Sequence, residues 1–334
     1  MSRKTTARLT IALVLIVGGG VTAVATAIGG QVNLAIPHAY GTANADIEAF
    51  ERIKELNVIV GDCQTFDTEL KEAYRELAEL GTVGPVSQQA AGMILSSVFD
   101  HNPAYDITIV AIESLRKVRG PRAVRGLTSA ASNGRFQHGT RVKALNALGD
   151  FREPEEVEEV LDGLSPLFDS GWVQGDILQR AIEVVGAIGS ANPGAAKVLA
   201  PVITRDHALD NRLTAIDTLK VFDTPEGAAA ALDTLAPLLN EFTSPAILIQ
   251  RGLAVVQALG NQAPARAVAA LTHLAASVLM DCETRVDVIE LLGTFGHGDA
   301  QAALSTLQAV AAKPHESDEV REAATLAIAH IQGR

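Results

Sequence analysis

Apolar residues in this chain recur with helical rather than strand periodicity, and the pattern repeats. A short frame begins at Thr108, Arg141, Leu178, Arg212, Gly252, Arg285 and Arg321, at intervals of 33 to 40 residues. Its fourth residue is small or β-branched: Ala111, Ala144, Ala181, Ala215, Val255, Val288 and Ala324. The fifth is Ile112, Leu145, Ile182, Ile216, Val256, Ile289 or Thr325, and the eighth is Leu115, Leu148, Val185, Leu219, Leu259, Leu292 or Ile328. Offsets of three, four and seven put these side chains on one stripe of a helix, and the small residue lets a neighbouring helix approach. Each frame therefore predicts one amphipathic helix.

A second helix is predicted between frames. Pro121, Pro154 and Pro225 each fall thirteen residues after a frame start, with Pro193 and Pro264 in similar places. Proline suits the first helical turn, where an N–H would lack a partner anyway. Asn192 and Thr224 each precede such a proline and supply a capping side chain. The apolar positions that follow include Val124 and Leu127, Val198, Leu199 and Val202, Leu232, Leu235 and Leu238, and Leu304, Leu307 and Val310. Helix, turn, helix at about 35 residues is the signature of an α-solenoid, a stack in which each pair contacts its neighbours. No stretch reads as a sheet.

Segments such as Arg141-Val142-Lys143-Ala144-Leu145-Asn146-Ala147-Leu148-Gly149, and the frame from Arg285 to Gly293, resemble HEAT repeats, especially the short bacterial HEAT-like type. The resemblance covers residues 85–331 and implies an all-α superhelix of about seven helix pairs. It says little about function, because arrays of this kind serve many. Two stretches ahead of it, 46–60 and 67–80, read as helices that cap the array over residues 46–84, and the charged helix from Asp318 closes the other end.

The first 45 residues differ in kind. Arg3, Lys4 and Arg8 precede an uncharged run over residues 9–28, and the first acid of the chain is Asp46. This is the layout of an export signal, and the run is also about as long as a membrane-spanning helix requires. Residues 1–28 are read as a signal peptide, cleaved after Ala27 or Ala45, or as a retained anchor, with 29–45 as linker. Flanking cations stay cytoplasmic, so the remainder is expected to be periplasmic or otherwise extracytoplasmic, tethered or secreted.

Composition narrows the functional classes. The 334 residues carry 27 Lys and Arg against 39 Asp and Glu, a net charge of −12, with 48% hydrophobic and 4% aromatic residues. That excludes a disordered polymer, a disulfide miniprotein and a generic basic nucleic-acid binder. Scarce aromatics, with Trp172 the only tryptophan, also disfavour base stacking. Cys63 and Cys282 lie at opposite ends of the array, too distant for a disulfide, so two free thiols are expected, compatible with export if both are buried.

Candidate chemistry is sparse. Eight histidines show no metal-ligand spacing, and no nucleophile, phosphate or dinucleotide motif occurs, so no metal, cofactor or catalytic residue is assigned. The chain has a lone His315-Glu316 pair where HEAT-like di-iron hydroxylases carry several, and nothing marks the chromophore site of a bilin lyase, the remaining enzymatic relative. Two surface features stand out. The sixth frame residue reads Glu113, Asn146, Glu183, Asp217, Gln257 and Glu290, then Leu326, a polar ladder opposite the apolar stripe. In the HEAT proteins it resembles, this helix lines the groove, so the ladder implies a protein partner bound along it. Residues 114–149 carry Arg116, Lys117, Arg119, Arg122, Arg125, Arg135, Arg141 and Lys143 and no acid. Such a patch suits an anionic envelope polymer or ligand. By contrast Glu153, Glu155, Glu156, Glu158 and Glu159 are read as solvated acids at a helix start, so that Glu156→Ala is expected to be nearly silent.

Overall fold

The computed structural model describes residues 44–333 except 63–64, 101–102, 171–172, 174, 190–191, 206, 242–243 and 278–279, together with the backbone of 11–17, 20–28 and 31–35. The basic cluster at Arg3, Lys4 and Arg8, and with it Cys63 and Trp172, lies outside the described residues. From Asn44 onward every regular element is helical, and the contacts divide into two compact units, residues 1–163 and 164–334.

The backbone of 11–35 is extended rather than helical. Strands β1 (Ile11–Val17), β2 (Gly20–Ile28) and β3 (Gln31–Ala35) pair antiparallel in that order, Ile11 facing Ala27 and Val24 facing Ala35. Dense valine, isoleucine and threonine favour this over a helix. This sheet departs from the expectation that no stretch forms one. No described helix is long and apolar enough to cross a membrane.

Unit 1 contains α1 (Asn44–Gly61), α2 (Asp67–Leu80), α3 (Pro85–Ser97), α4 (Tyr105–Val118), α5 (Gly120–Ser132), α6 (His138–Leu148) and the start of α7 (Pro154–Asp169). Helices α1, α3 and α5 pack side by side in one layer, and α2, α4 and α6 in the other. Unit 2 holds α8 (Gly175–Gly189), α9 (Pro193–Val198), α10 (Ala200–Thr204), α11 (Leu209–Thr218), α12 (Pro225–Leu239), α13 (Ala246–Leu259), α14 (Pro264–Ala276), α15 (Cys282–Phe295), α16 (Ala300–Ala311) and α17 (Asp318–Ile331). Here α8, α11, α13, α15 and α17 form one layer, and α9 with α10, α12, α14 and α16 the other. Two layers in which each helix touches the next of its own layer constitute an α-solenoid.

Within each unit the frames fall on a single layer: α4 and α6 in unit 1, and α8, α11, α13, α15 and α17 in unit 2. In the first six frames the fourth, fifth and eighth side chains are at most 2% exposed. The last frame departs, Thr325 being exposed and Ile328 half-buried. Gly186 and Gly293, each the ninth residue of its frame, bring the next frame helix close. A Cβ there would come 2.6 Å from Thr218 Cγ2 and 2.8 Å from Ala327 Cβ respectively. Prolines open α7, α9, α12 and α14, Pro121 stands second in α5, and the Asn192 and Thr224 side chains accept N–H bonds from Gly194 (2.8 Å) and Gly227 (3.1 Å).

Two expectations need correcting. The helix predicted through Val198, Leu199 and Val202 is broken into α9 and α10, because Pro201 has no N–H to continue the ladder. Cys282 is free, as expected, but exposed, so the burial that would ease an exported thiol is not met there; it is the first residue of α15 after its capping Asp281.

Candidate functional site

Three of the four frame arginines are helix-end staples, while Arg321 instead pairs with Asp318 on its own helix. Arg141 Nε donates to the Ala131 carbonyl (2.8 Å), Arg212 Nε to Ile203 (3.0 Å) and Arg285 Nη2 to Ala275 (3.4 Å). Each carbonyl lies nine or ten residues upstream, in the last turn of the preceding helix, where backbone oxygens lack intrahelical partners and a cation meets the negative end of the dipole. Where Leu178 replaces the arginine, the corresponding carbonyl of Phe168 is served by His207 Nε2 (3.1 Å). Arg285 is buried and also forks onto buried Glu316, with Nη2–Oε2 at 2.8 Å. That hydrogen-bonded guanidinium holds the Glu316 carboxyl below its ordinary range, outweighing the opposing effect of desolvation. Of the lone His315-Glu316 pair, Glu316 is thereby accounted for structurally.

The acid-free segment 114–149 is matched by acids from neighbouring elements. Arg116 pairs with Asp150, Lys117 with Glu79, Arg119 with Glu156 and Arg125 with Glu159. Arg141 is buried in its staple, while Arg122, Arg135 and Lys143 form no ion pair among the described residues. Desolvation by burial, with Arg125 nearby, lowers the Arg122 pKa. The segment therefore leaves three of its eight cations for a ligand.

Glu156 is buried, 7% exposed, and its expected surface placement is wrong. Helices α4 and α5 join with no intervening loop, through Arg119 at φ 60° and Gly120 at φ 79°. A side chain other than glycine in that left-handed region is strained and needs support. Glu156 supplies it, accepting from the Gly120 N–H (3.0 Å) and from Arg119 Nε (3.3 Å). Arg119 Nη1 donates to the Asp150 carbonyl (3.2 Å), and its guanidinium stands 5.0 Å from the centroid of the Phe151 ring. Asp46, also buried, does similar work at the start of α3, accepting from the N–H groups of Val86 (3.1 Å) and Ser87 (2.9 Å). Apolar periodicity carries no signal for either acid.

The ladder residues do lie on the solvent side of the frame helices. Glu113 and Asn146 are exposed in unit 1, as are Glu183, Gln257 and Glu290 in unit 2, and Asp217 is half-buried. Glu183 pairs with Arg180 on its own helix (2.7 Å). Asp217 binds Lys220 (2.8 Å) and reaches Arg251 on α13 (3.3 Å). Unit 2 also holds a cavity of about 120 Å3 bordered by Ile249, Leu274, Glu241 and Asp281. Hydrogen bonds from the N–H and hydroxyl of Thr284 lower the Asp281 pKa. Among the described residues no group of three His, Cys, Asp or Glu side chains is placed to hold a metal ion. His297 contacts the Thr294 carbonyl, and Asp299 caps α16.

The layered helix pairs define the class: from Asn44 onward the described residues of each unit form an all-α solenoid. No family model matches the chain, and no curated protein matches it. Among solved structures it is similar to Kap121p bound to Nup53p, at 12% identity and TM-score 0.43, over 88% of this chain and 36% of that one. It is also similar to the karyopherin Kap121p bound to the extreme C-terminus of the protein phosphatase Cdc14p, at 11% identity and TM-score 0.38, over 88% and 40%. A computationally designed self-assembling cyclic homo-oligomer matches at 18% identity and TM-score 0.16, over 86% and 92%. The chain thus spans well under half the length of the two karyopherin chains. At these scores the likeness carries no functional argument, and the class rests on the chain's own architecture.

Proposed function

We propose that this protein is a non-enzymatic scaffold that holds a partner protein along the exposed face of its frame helices, outside the cytoplasm. The carrying observation is the sixth-position row. Glu183, Gln257 and Glu290 stand exposed on α8, α13 and α15 of unit 2, with half-buried Asp217 on the intervening α11, and Glu113 and Asn146 stand exposed in unit 1, while the opposite stripe is committed to the core. Polar side chains repeating at helix spacing suit an extended polar or basic segment. The test is Glu183→Lys with Glu290→Lys in the full chain, followed by capture of native complexes. Loss of a co-purifying protein at unchanged circular dichroism supports the reading, and identical partner recovery overturns it.

The extracytoplasmic placement is supported by Arg3, Lys4 and Arg8 ahead of the uncharged run. Exposed Cys282 offers a direct assay in a Cys63→Ser background. A membrane-impermeant maleimide should label it in intact spheroplasts, and labelling that requires lysis would refute export. The runner-up, an anionic ligand on segment 114–149, now depends on Arg122, Arg135 and Lys143 alone. Salt-sensitive retention on an anionic matrix that vanishes in Arg122→Glu with Arg135→Glu would favour it.

A further inference from the structure

A groove between α1 and α2, neither of which carries a frame, lies apart from the ladder. Its volume is about 500 Å3, and Leu56, Val58, Ile59 and Ala73 give it an apolar wall. Val58 is 59% exposed, and Phe66, which follows the lining residue Thr65, is 77% exposed. The first pair of a solenoid normally seals the apolar layer, so large hydrophobics in water there mark a surface awaiting cover. The polar rim then selects what covers it. Glu69 and Glu72 are exposed, Asp62 and Glu76 stand with them, and Arg52 is the lining cation. Arg52 is already engaged by Glu76 and Glu55, both at 2.6 Å, which leaves the rim acidic.

We propose that this groove docks a basic segment of a partner protein, its aliphatic side chains resting on Val58 and Phe66 and its lysines or arginines on the Glu69 and Glu72 rim. An acidic peptide would bring like charge to this rim, whereas a basic segment brings the opposite charge.

The probe is a fluorescein-labelled twelve-residue peptide of alternating lysine and leucine, read by fluorescence polarisation against the full chain. Saturable binding is expected, weakened at least tenfold when serine replaces leucine or glutamate replaces lysine. Phe66→Ser with Val58→Ser, and separately Glu69→Lys with Glu72→Lys, should each weaken it at least tenfold. All four side chains are exposed, so circular dichroism should stay unchanged. Glu183→Lys with Glu290→Lys should leave this binding intact, which separates the groove from the ladder. No saturable binding, equal affinity in the groove variants, or loss in the ladder variant would overturn the proposal. So would a tenfold gain in affinity on replacing Arg3, Lys4 and Arg8 by serine, since the chain's own N-terminus would then be the occupant.

Discussion

Glu156 and Arg119 face one another across 37 residues of sequence, and their contact holds the direct junction of α4 and α5 in place. The same carboxylate accepts the Gly120 N–H, so its removal strands a buried donor as well as a cation. Glu156→Ala should lower unfolding stability by about 1–3 kcal/mol. Glu156→Gln, which keeps an acceptor for Gly120, should cost less, and neighbouring exposed Glu155→Ala almost nothing. Urea unfolding of the three variants decides it, and equal midpoints would refute the clamp.

Acid should weaken unit 2 through Glu316 and Asp281. Both carboxyl groups titrate lower folded than unfolded, Glu316 through Arg285 and Asp281 through Thr284. Their contribution is therefore complete above the unfolded carboxylate pKa and disappears as pH falls through the folded values. Melting temperature should drop on acidification from neutral pH, and the drop should be shallower in Glu316→Gln. An identical acid profile in that variant would exclude the Arg285 pair as a cause.

Leu148→Ala and Leu292→Ala delete fully buried side chains at the eighth frame position. Each should cost about 2–5 kcal/mol, depending on how far the site collapses. A value below the lower bound would show that the stripe is not packed as described.

Gly293→Ala forces a methyl group to within 2.8 Å of Ala327 Cβ, on the helix that follows in the same layer. Overpacking of this kind typically costs about 1–3 kcal/mol. Hydrogen exchange should rise first in α15 and α17, and uniform exchange across unit 2 would argue against a local clash.

The layered core was legible because burial in a solenoid repeats, so Ala144, Leu145 and Leu148 announce themselves in the same way as Val288, Ile289 and Leu292. The prolines were legible because a fixed φ has one natural place at a helix start. Buried acids were not, since Asp46 and Glu156 act on backbone N–H groups 36 to 41 residues away and look in sequence like any acid near a helix start. The ionic matching of segment 114–149 was hidden for the same reason, its acids lying before and after the stretch. The frame arginine was visible as a letter but not as a role, which requires knowing where the preceding helix ends.

That role bears on how such a chain grows. Donor and acceptor of the staple sit nine or ten residues apart, inside a single helix pair. Duplicating a pair copies both partners together, whereas the Glu156 clamp reaches into a different pair and is lost or mismatched by the same event. Insertion of whole units should therefore be tolerated wherever the arginine staple alone secures the turn, and resisted near the junction of Arg119 and Gly120.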